Sequence, residues 1–234
     1  GVILTMIYND ADFKMTPTTD YLALSTTNIA AETTRTVSDV YKHWANCIYE
    51  GTGSAQDITI ANETPNGSSF DPEFVWTKNR DAADEHKLVD IVRGATKELN
   101  SDSTNAESTD SNGVTSITST GKYVLGSGAA GYNDSGESFV GWAAKLGGSA
   151  ASNTAGDITS SVSVNTTLGI SVGKFTATNT NDASVGHGLG VKPGLILVKN
   201  LDQTYNWDIH HSSLGQTQSL IFTGAALRTV TAFG

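Results

Sequence analysis

Short runs of alternating apolar and polar residues recur along the chain. Residues 206–211 alternate in this way, and Ser219–Thr223 is a short apolar run. A period of two residues places successive side chains on opposite faces of a β-strand. The strands predicted from such patterns are Asp57–Ala61, Phe74–Asn79, Gly121–Leu125, Phe139–Ala144, Ser161–Asn165, Gly169–Thr176 and Leu195–Asn200. Many short strands separated by polar turns predict an all-β fold of the sandwich type, jelly-roll or lectin-like.

One passage of the sequence occurs twice, 121 positions apart. Phe70–Asp81 returns as Val191–Asp202, and each copy contains a proline, an apolar run and the phrase Lys-Asn-x-Asp. The same alignment places Gly94 on Gly215. Because homologous copies share a fold, the repeated module is the structural unit to be predicted. The chain is therefore predicted to be a tandem array of two like modules.

The duplication also decides between helix and strand for residues 81–99. Taken alone, this stretch favours a helix, because its apolar residues are spaced to share one helical face. Its second copy, however, carries the period-two pattern of 206–211. Since the copies share a fold, we predict strands at 86–90 and 97–99.

The two copies set the expected domain boundaries. The predicted segments are the end of an upstream β-domain at 1–30, a linker at 31–45, the first copy at 46–146, a flexible Gly/Ser linker at 147–156 and the second copy at 157–234. The second copy stops before counterparts of Lys122–Leu125 and Phe139–Ala144 appear. A sandwich lacking these strands would expose apolar core and unpaired edges. We therefore expect them to come from further chain or from a neighbouring subunit.

Composition excludes several classes of function. The formal net charge is −10 and the isoelectric point is near 4.8. Nucleic-acid binding requires a basic stripe, and the sequence has none, so no nucleic-acid partner is predicted. No apolar stretch reaches the ~18 residues that a membrane-spanning helix needs, so membrane insertion is not expected. The single cysteine, Cys47, excludes an internal disulfide and is predicted to be a small buried apolar residue.

No motif predicts an active site. Gly126–Gly131 matches a dinucleotide-binding glycine pattern, but a turn follows where a helix is required. His210 and His211 are adjacent, so on a strand they point to opposite faces and cannot share a metal. A polar run could supply calcium ligands but lacks the loop spacing, and is predicted to be a solvated turn: Asp102, Asn105, Glu107, Asp110 and Asn112. We predict no catalytic residues, no metal and no cofactor.

Three tryptophans are candidates for stacking against sugars. Trp76 and Trp142 lie in apolar strands and are predicted to pack in the core. Trp207 lies in a more polar stretch, so it is the aromatic residue expected to be exposed. It is the one candidate for a glycan contact.

Several phrases of the sequence resemble a known repeated module. They are Phe74–Arg80, Asp90–Lys97, Ser138–Trp142 and Gly186–Gly190, and they are similar to a module of unassigned function in large structural proteins of tailed bacteriophages, particularly marine and cyanobacterial ones. Tyr21–Asn28 resembles the closing stretch of a lectin-like or SPRY-like domain that often precedes it. The resemblance implies a virion location and exposure outside the cell, and it supplies no catalytic or ligand residues.

Pattern and resemblance together favour a non-enzymatic virion protein. The expected role is a tail fibre, a tail-tip appendage or a surface decoration, in contact with other virion subunits and with copies of itself. Host-surface glycans are an expected ligand. The alternative is a carbohydrate-binding module of a secreted or cell-surface protein. A glycosidase or depolymerase is the third reading, which would require two carboxylates about 5–10 Å apart in an aromatic-lined cleft.

Overall fold

The computed structural model describes residues 2–6, 42–60, 69–119, 121–214, 217–222 and 224–229. Within these ranges the chain forms seventeen β-strands and no α-helix, which confirms the predicted all-β class. The first thirteen strands are β1 Val2–Met6, β2 Trp44–Glu50, β3 Gln56–Thr59, β4 Phe74–Asn79, β5 Lys87–Asp90, β6 Lys97–Asn100, β7 Ser108–Thr109, β8 Val114–Ser119, β9 Lys122–Leu125, β10 Ser138–Ala144, β11 Ala151–Asn153, β12 Ser160–Asn165 and β13 Ile170–Phe175. The remaining strands are β14 Leu195–Lys199, β15 Asp208–His211, β16 Gln218–Ile221 and β17 Gly224–Thr229. Among these described residues, no helix has the length and apolar character needed to cross a membrane.

The strands form three antiparallel sheets. The small sheet has the order β3-β9-β8, and the first-repeat sheet has the order β2-β10-β4-β5-β6-β7. The second-repeat sheet has eight strands in the order β11-β12-β13-β1-β14-β15-β16-β17. The repeated passages occupy equivalent places, since β4-β5-β6 in one sheet corresponds to β14-β15-β16 in the other.

Strands replace the helix that the spacing of residues 81–99 favours. β5 and β6 lie there, paired antiparallel, as the duplication predicts. The turn between them is closed by Asp90, whose Oδ1 accepts the backbone N–H groups of Val92 and Arg93. Thr96 and Gly94 both have positive φ, 68° and 101°, which a helix does not allow. The apolar residues of this stretch have a helix-like spacing because some of them lie in the turn between β5 and β6.

The phrase Lys-Asn-x-Asp is explained by the turn that ends β4 and β14. Asn79 Oδ1 accepts the N–H groups of the residues two and three positions later, and Asn200 Oδ1 does the same in the second copy. Lys78 donates from Nζ to two carbonyl oxygens of its turn. Lys199, which is fully buried, donates to Asn200 O and to Thr104 O. The repeated phrase thus encodes a turn, with the lysine bonding carbonyls.

One face of the first-repeat sheet packs against the small sheet. The core between them is apolar apart from tyrosine hydroxyls and contains Ala45, Ile58, Ile60, Phe70, Val75, Val89, Val114, Ile117, Tyr123, Leu125, Ala129, Tyr132 and Ala143. Gly141 on β10 is required beneath Tyr123, because a Cβ there would lie 2.4 Å from the tyrosine hydroxyl oxygen. These two layers form the predicted sandwich.

The opposite face of the first-repeat sheet packs against the second-repeat sheet. The core between them, here called the shared core, contains Phe74, Leu88, Leu99, Ala144, Leu146, Ile170, Val172, Leu197, Leu201, Trp207 and Ile209. Strands β4, β5, β6 and β10 contribute from one side, and β13, β14 and β15 from the other. The two copies are therefore stacked as adjacent layers through the shared core.

The predicted flexible linker 147–156 is held in place. Residues 151–153 form β11, which pairs with β12. A Cβ on Gly147 would lie 2.1 Å from the carbonyl oxygen of Val164, so the backbones touch there. Gly148 donates its N–H to Glu73 Oε2 of the first copy. Close backbone contact, in addition to conformational freedom, explains the glycine content of this segment.

β1 lies in the second-repeat sheet, between β13 and β14, and pairs antiparallel with both. The sequence placed residues 1–30 at the end of an upstream domain, so this position differs from the prediction. Residues 7–41, which hold the rest of that segment and most of the predicted linker, lie outside the described residues.

Candidate functional site

Trp207, the predicted glycan contact, is buried. It is 1% exposed, lies in the shared core and donates from Nε1 to Asn100 O of the first copy at 2.7 Å. A ring enclosed in this way cannot stack against a sugar, so the predicted exposure is wrong. Its polar neighbours in sequence lie between β14 and β15, and Tyr205 among them is 57% exposed.

An aromatic group on the first-repeat sheet is partly accessible to solvent. The rings of Trp76 and Trp142 are cross-strand neighbours with centroids 5.9 Å apart at 64°. Trp76 also contacts His86, with centroids 5.7 Å apart, and donates from Nε1 to His86 Nδ1 at 2.9 Å. Trp76 packs against the shared core as predicted, and all three side chains are half-buried. The group offers ring edges and faces at the surface.

The hydrogen bond from Trp76 requires a neutral imidazole, because an imidazolium has no acceptor. Removal from water lowers the pKa of His86 below its ordinary value of 6.5, and Lys78 lowers it further. The carboxylate of Asp102 acts in the opposite direction. The balance keeps His86 neutral near pH 7, which suits the bond it accepts.

We predict that the free energy of unfolding falls as the pH drops below 6.5. In that range the unfolded chain binds a proton that folded His86 resists, so protonation favours unfolding. Urea titrations from about pH 8 to about pH 5 should show a shallower pH dependence in His86→Gln. His187, whose pKa burial also lowers, is present in both proteins and cancels in the comparison. Identical pH dependence in the two proteins would contradict the prediction.

Three carboxylates meet at one end of the first-repeat sheet. Oxygens of Asp84, Asp134 and Glu137 all lie within 4.8 Å of one another. Asn79 Nδ2 donates to both Asp84 and Glu137, and the N–H of Gly131 donates to Asp134 at 2.6 Å. Hard cations prefer such oxygen ligands. Each carboxylate nevertheless has a protein donor, and these bonds explain the cluster as the closure of two turns.

The same cluster does not suit a glycosidase. One oxygen from each carboxylate lies within 4.8 Å of the other two, and glycosidases hold their two carboxyl groups about 5–10 Å apart. The Asn79 amide also bonds to two of them, where a glycosidic bond would have to enter. Sequence reasoning missed this cluster because Asp84 lies about fifty positions before Asp134 and Glu137, and the three form no motif.

The polar run weighed for calcium has structural partners within the described residues. Asp102 Oδ1 accepts the N–H of His86, and Asp110 Oδ1 accepts the N–H of Asn112. Glu107 lies 3.5 Å from Arg93 in an ion pair. Side chains of this run therefore hold the loops around β6, and they do not converge on a common point.

Lys87, Glu98 and Tyr132 form an enclosed polar network in the first copy. Lys87 Nζ lies 3.1 Å from Glu98 Oε1, and the hydroxyl of Tyr132 donates to Glu98 Oε2 at 2.9 Å. Burial raises the pKa of Tyr132 well above its ordinary value, with the charge of Glu98 acting in the same direction. A phenol held neutral in this way serves as a hydrogen-bond donor, so this network stabilises the sandwich.

Cys47 is predicted to react slowly with thiol reagents while the protein is folded. Burial raises the pKa of its thiol, outweighing the contact with the hydroxyl of Tyr123. Because the thiolate is the reactive form, labelling by a disulfide reagent at pH 8 should be much faster in urea than in buffer. Equal rates in the two solvents would show that the small-sheet face opens readily.

One family model matches the chain. It is described as a domain of unknown function (DUF7483) and matches residues 39–233. No curated protein and no solved structure matches the chain. The matched range includes both copies, in agreement with their shared core, and it begins after β1.

Proposed function

The chain belongs to the DUF7483 family of domains of unknown function, and we propose that it is a non-enzymatic structural or adhesive protein of a tailed-bacteriophage particle. In this role it forms part of a tail fibre, a tail-tip appendage or a surface decoration. Its partners are other virion subunits and further copies of itself, and host-surface glycans are its proposed external ligand.

The shared core is the observation that carries the proposal. The two copies bury apolar faces against each other, so their broad surfaces serve assembly. The space left beside Trp207 and Arg93 is a cavity of about 10 Å³, which holds no more than one water molecule. Modules that stack layer on layer in this way extend into rigid arrays, as repeat proteins do. Such arrays suit the appendages of a particle.

The structural roles of side chains that are often catalytic or ligand-binding in other proteins support the same proposal. Lys199 is fully buried and bonds to carbonyl oxygens, and Trp207 joins the copies. The candidate acid cluster is explained by the turns that it closes. A net charge of −10 also suits a protein that assembles without binding nucleic acid.

Immunogold electron microscopy of purified phage particles tests the virion role. Antibodies raised against the folded protein should label the tail or the outer surface, and the protein should remain with particles through a density gradient. Serum preadsorbed with the protein is the control. Recovery of the protein only among free proteins of the lysate would contradict the proposal.

The non-enzymatic part of the proposal has a separate test. Purified protein is incubated with host capsule and with peptidoglycan, and reducing sugar is measured over time. We expect no release above a heat-denatured sample. Sustained release would overturn the proposal in favour of a depolymerase, and an Asp84→Asn variant would show whether the carboxylate cluster is responsible.

A carbohydrate-binding module is a second candidate, favoured by the aromatic group on the first-repeat sheet. Trp142 is half-buried and presents part of its ring beside Trp76. Sugar binding there should be lost in Trp142→Ala and retained in Tyr205→Ala, since Tyr205 is exposed but lies in the second copy. Binding of host polysaccharide by an isolated monomer, lost only in the first variant, would favour this candidate.

A further inference from the structure

β1 occupies in the second-repeat sheet the place that β10 occupies in the first. β10 lies between β2 and β4 and is antiparallel to both. β1 lies between β13 and β14, the counterparts of β2 and β4, and is also antiparallel to both. The position between β13 and β14, here called the acceptor position, is therefore filled by a strand from a distant part of the sequence.

The alignment on the β14 side is the same, residue for residue. Val140 of β10 is opposite Lys78, and Val2 of β1 is opposite Lys199. Lys199 is the counterpart of Lys78 in the repeated passage, 121 positions later. β1 therefore has the register of β10 along this edge.

The β13 side gives the same result independently. Val140 is opposite Ile48, and Val2 is opposite Lys174. The first copy carries about five extra residues around Thr64–Gly67, so before them the copies are 126 positions apart and Tyr49 corresponds to Phe175. Ile48 and Lys174, their neighbours, are therefore counterparts too. Because the pairing on both edges gives the same register, the acceptor position selects a strand by its register as well as by its apolar residues.

β1, which fills the acceptor position, lies outside the range matched by the family model. The family match begins at residue 39, after β1. Empty, the position would leave β13 and β14 with unpaired edges in the middle of a sheet, which proteins avoid. In this structure the strand that prevents this is β1, from outside the matched range.

We propose that the acceptor position is an intermolecular assembly site, filled in the assembled protein by β1 of a second copy of this chain. Residues 7–43 separate β1 from β2 in the sequence, a tether of 37 residues. Extended, it reaches more than about 100 Å, whereas a domain of this size has a radius of gyration of about 16 Å. The strand can therefore reach a neighbour as well as its own sheet.

Exchange between copies keeps every contact of the acceptor position. The ladders to β13 and β14 are the same whether β1 comes from its own chain or from another, which is why swapping of an identical element costs little. At high dilution the acceptor position binds β1 of its own chain, because the tether gives that strand a high effective concentration. Neighbours compete as protein concentration rises. Each copy donates one strand and accepts one, so the contact is head-to-tail and propagates.

Engineered disulfides test the exchange without cutting the chain. In a Cys47→Ser background, one variant carries Thr5→Cys and another carries Ile196→Cys, which are directly opposite in β1 and β14. Residues so paired have Cβ atoms about 4.5–5.5 Å apart, close enough to permit a disulfide. The two variants are mixed in urea, refolded together at increasing concentration and oxidised. Because each has one cysteine, a disulfide between the two different chains requires exchange.

We expect a covalent heterodimer whose yield rises with protein concentration. The matched control replaces Thr5→Cys by Leu4→Cys, one residue out of register, and should give several-fold less. A second pair, Met6→Cys with Leu195→Cys, covers the case in which one variant folds poorly. Absence of heterodimer from both pairs at all concentrations would overturn the proposal, as would equal yield from the mismatched control. This test does not depend on the virion role, which immunogold labelling decides separately.

Discussion

Replacing Arg93 by methionine is expected to lower the free energy of unfolding by about 3–5 kcal/mol, because a buried carboxylate then loses its cation. The Arg93 side chain is 1% exposed and that of Asp90 is 3% exposed, with Nε to Oδ2 at 2.6 Å. Arg93 also donates to the carbonyl oxygen of Leu88. Urea denaturation followed by tryptophan fluorescence measures the loss.

The matched control is Lys122→Met. Lys122 pairs with Asp57 at the same distance, 2.6 Å, but the two side chains are 38% and 51% exposed. A solvated pair contributes little, so the control should change stability by less than about 1 kcal/mol. Adding Asp90→Asn to Arg93→Met should recover part of the loss by removing the stranded charge. Equal losses in the two single variants would contradict the assignment of a desolvated pair.

Trp207→Ala is expected to cost about 3–5 kcal/mol, the range for removing a large aromatic residue from a core. The ring is buried between the copies, contacts Phe222 at 6.0 Å between centroids and donates to Asn100 O. Its loss opens the shared core and leaves a buried carbonyl unpaired. Urea denaturation measures the change, and binding of a hydrophobic dye reports exposure of the facing sheets.

Two variants make the Trp207 result specific. Tyr205→Ala removes an aromatic ring two positions away that is 57% exposed, and should change stability by about 0.5 kcal/mol or less. Trp207→Phe keeps an aromatic ring but removes the N–H group. Its loss in free energy of unfolding should therefore lie between the losses of Trp207→Ala and Tyr205→Ala. If Trp207→Ala were as stable as Tyr205→Ala, the two sheets would not depend on their shared core.

The strands could be predicted because duplication supplies information that local pattern lacks. Residues 87–90 and 97–100 lie in a stretch with helical spacing, and their copies at 208–211 and 218–221 resolved the ambiguity. The β4 and β14 strands followed from apolar runs bounded by the turn phrase that Asn79 and Asn200 close. Local chemistry and repetition together therefore sufficed for the strands of the repeated passage, whereas β2, β8 and β11 were not predicted.

The layering of the copies could not be predicted in the same way. Periodicity indicates which face of a strand is apolar, but not whether the small sheet or another copy covers it. Trp207 was misjudged for this reason, since its sequence neighbours are polar while its contacts come from Asn100 and the first-repeat sheet. The carboxylates of Asp84 and Glu137 were missed because only the fold brings them together.

The position of β1 has a mechanical consequence. Hydrogen bonds of an antiparallel ladder lie perpendicular to the strands. Tension applied along β1 therefore acts across the bonds to β13 and β14 together, so that both ladders carry the load in shear. An edge strand such as β11, with one neighbour, can instead be peeled away one bond at a time. A chain of copies joined through this strand would resist pulling far better than its equilibrium affinity suggests, which suits the proposed role in an appendage exposed to drag.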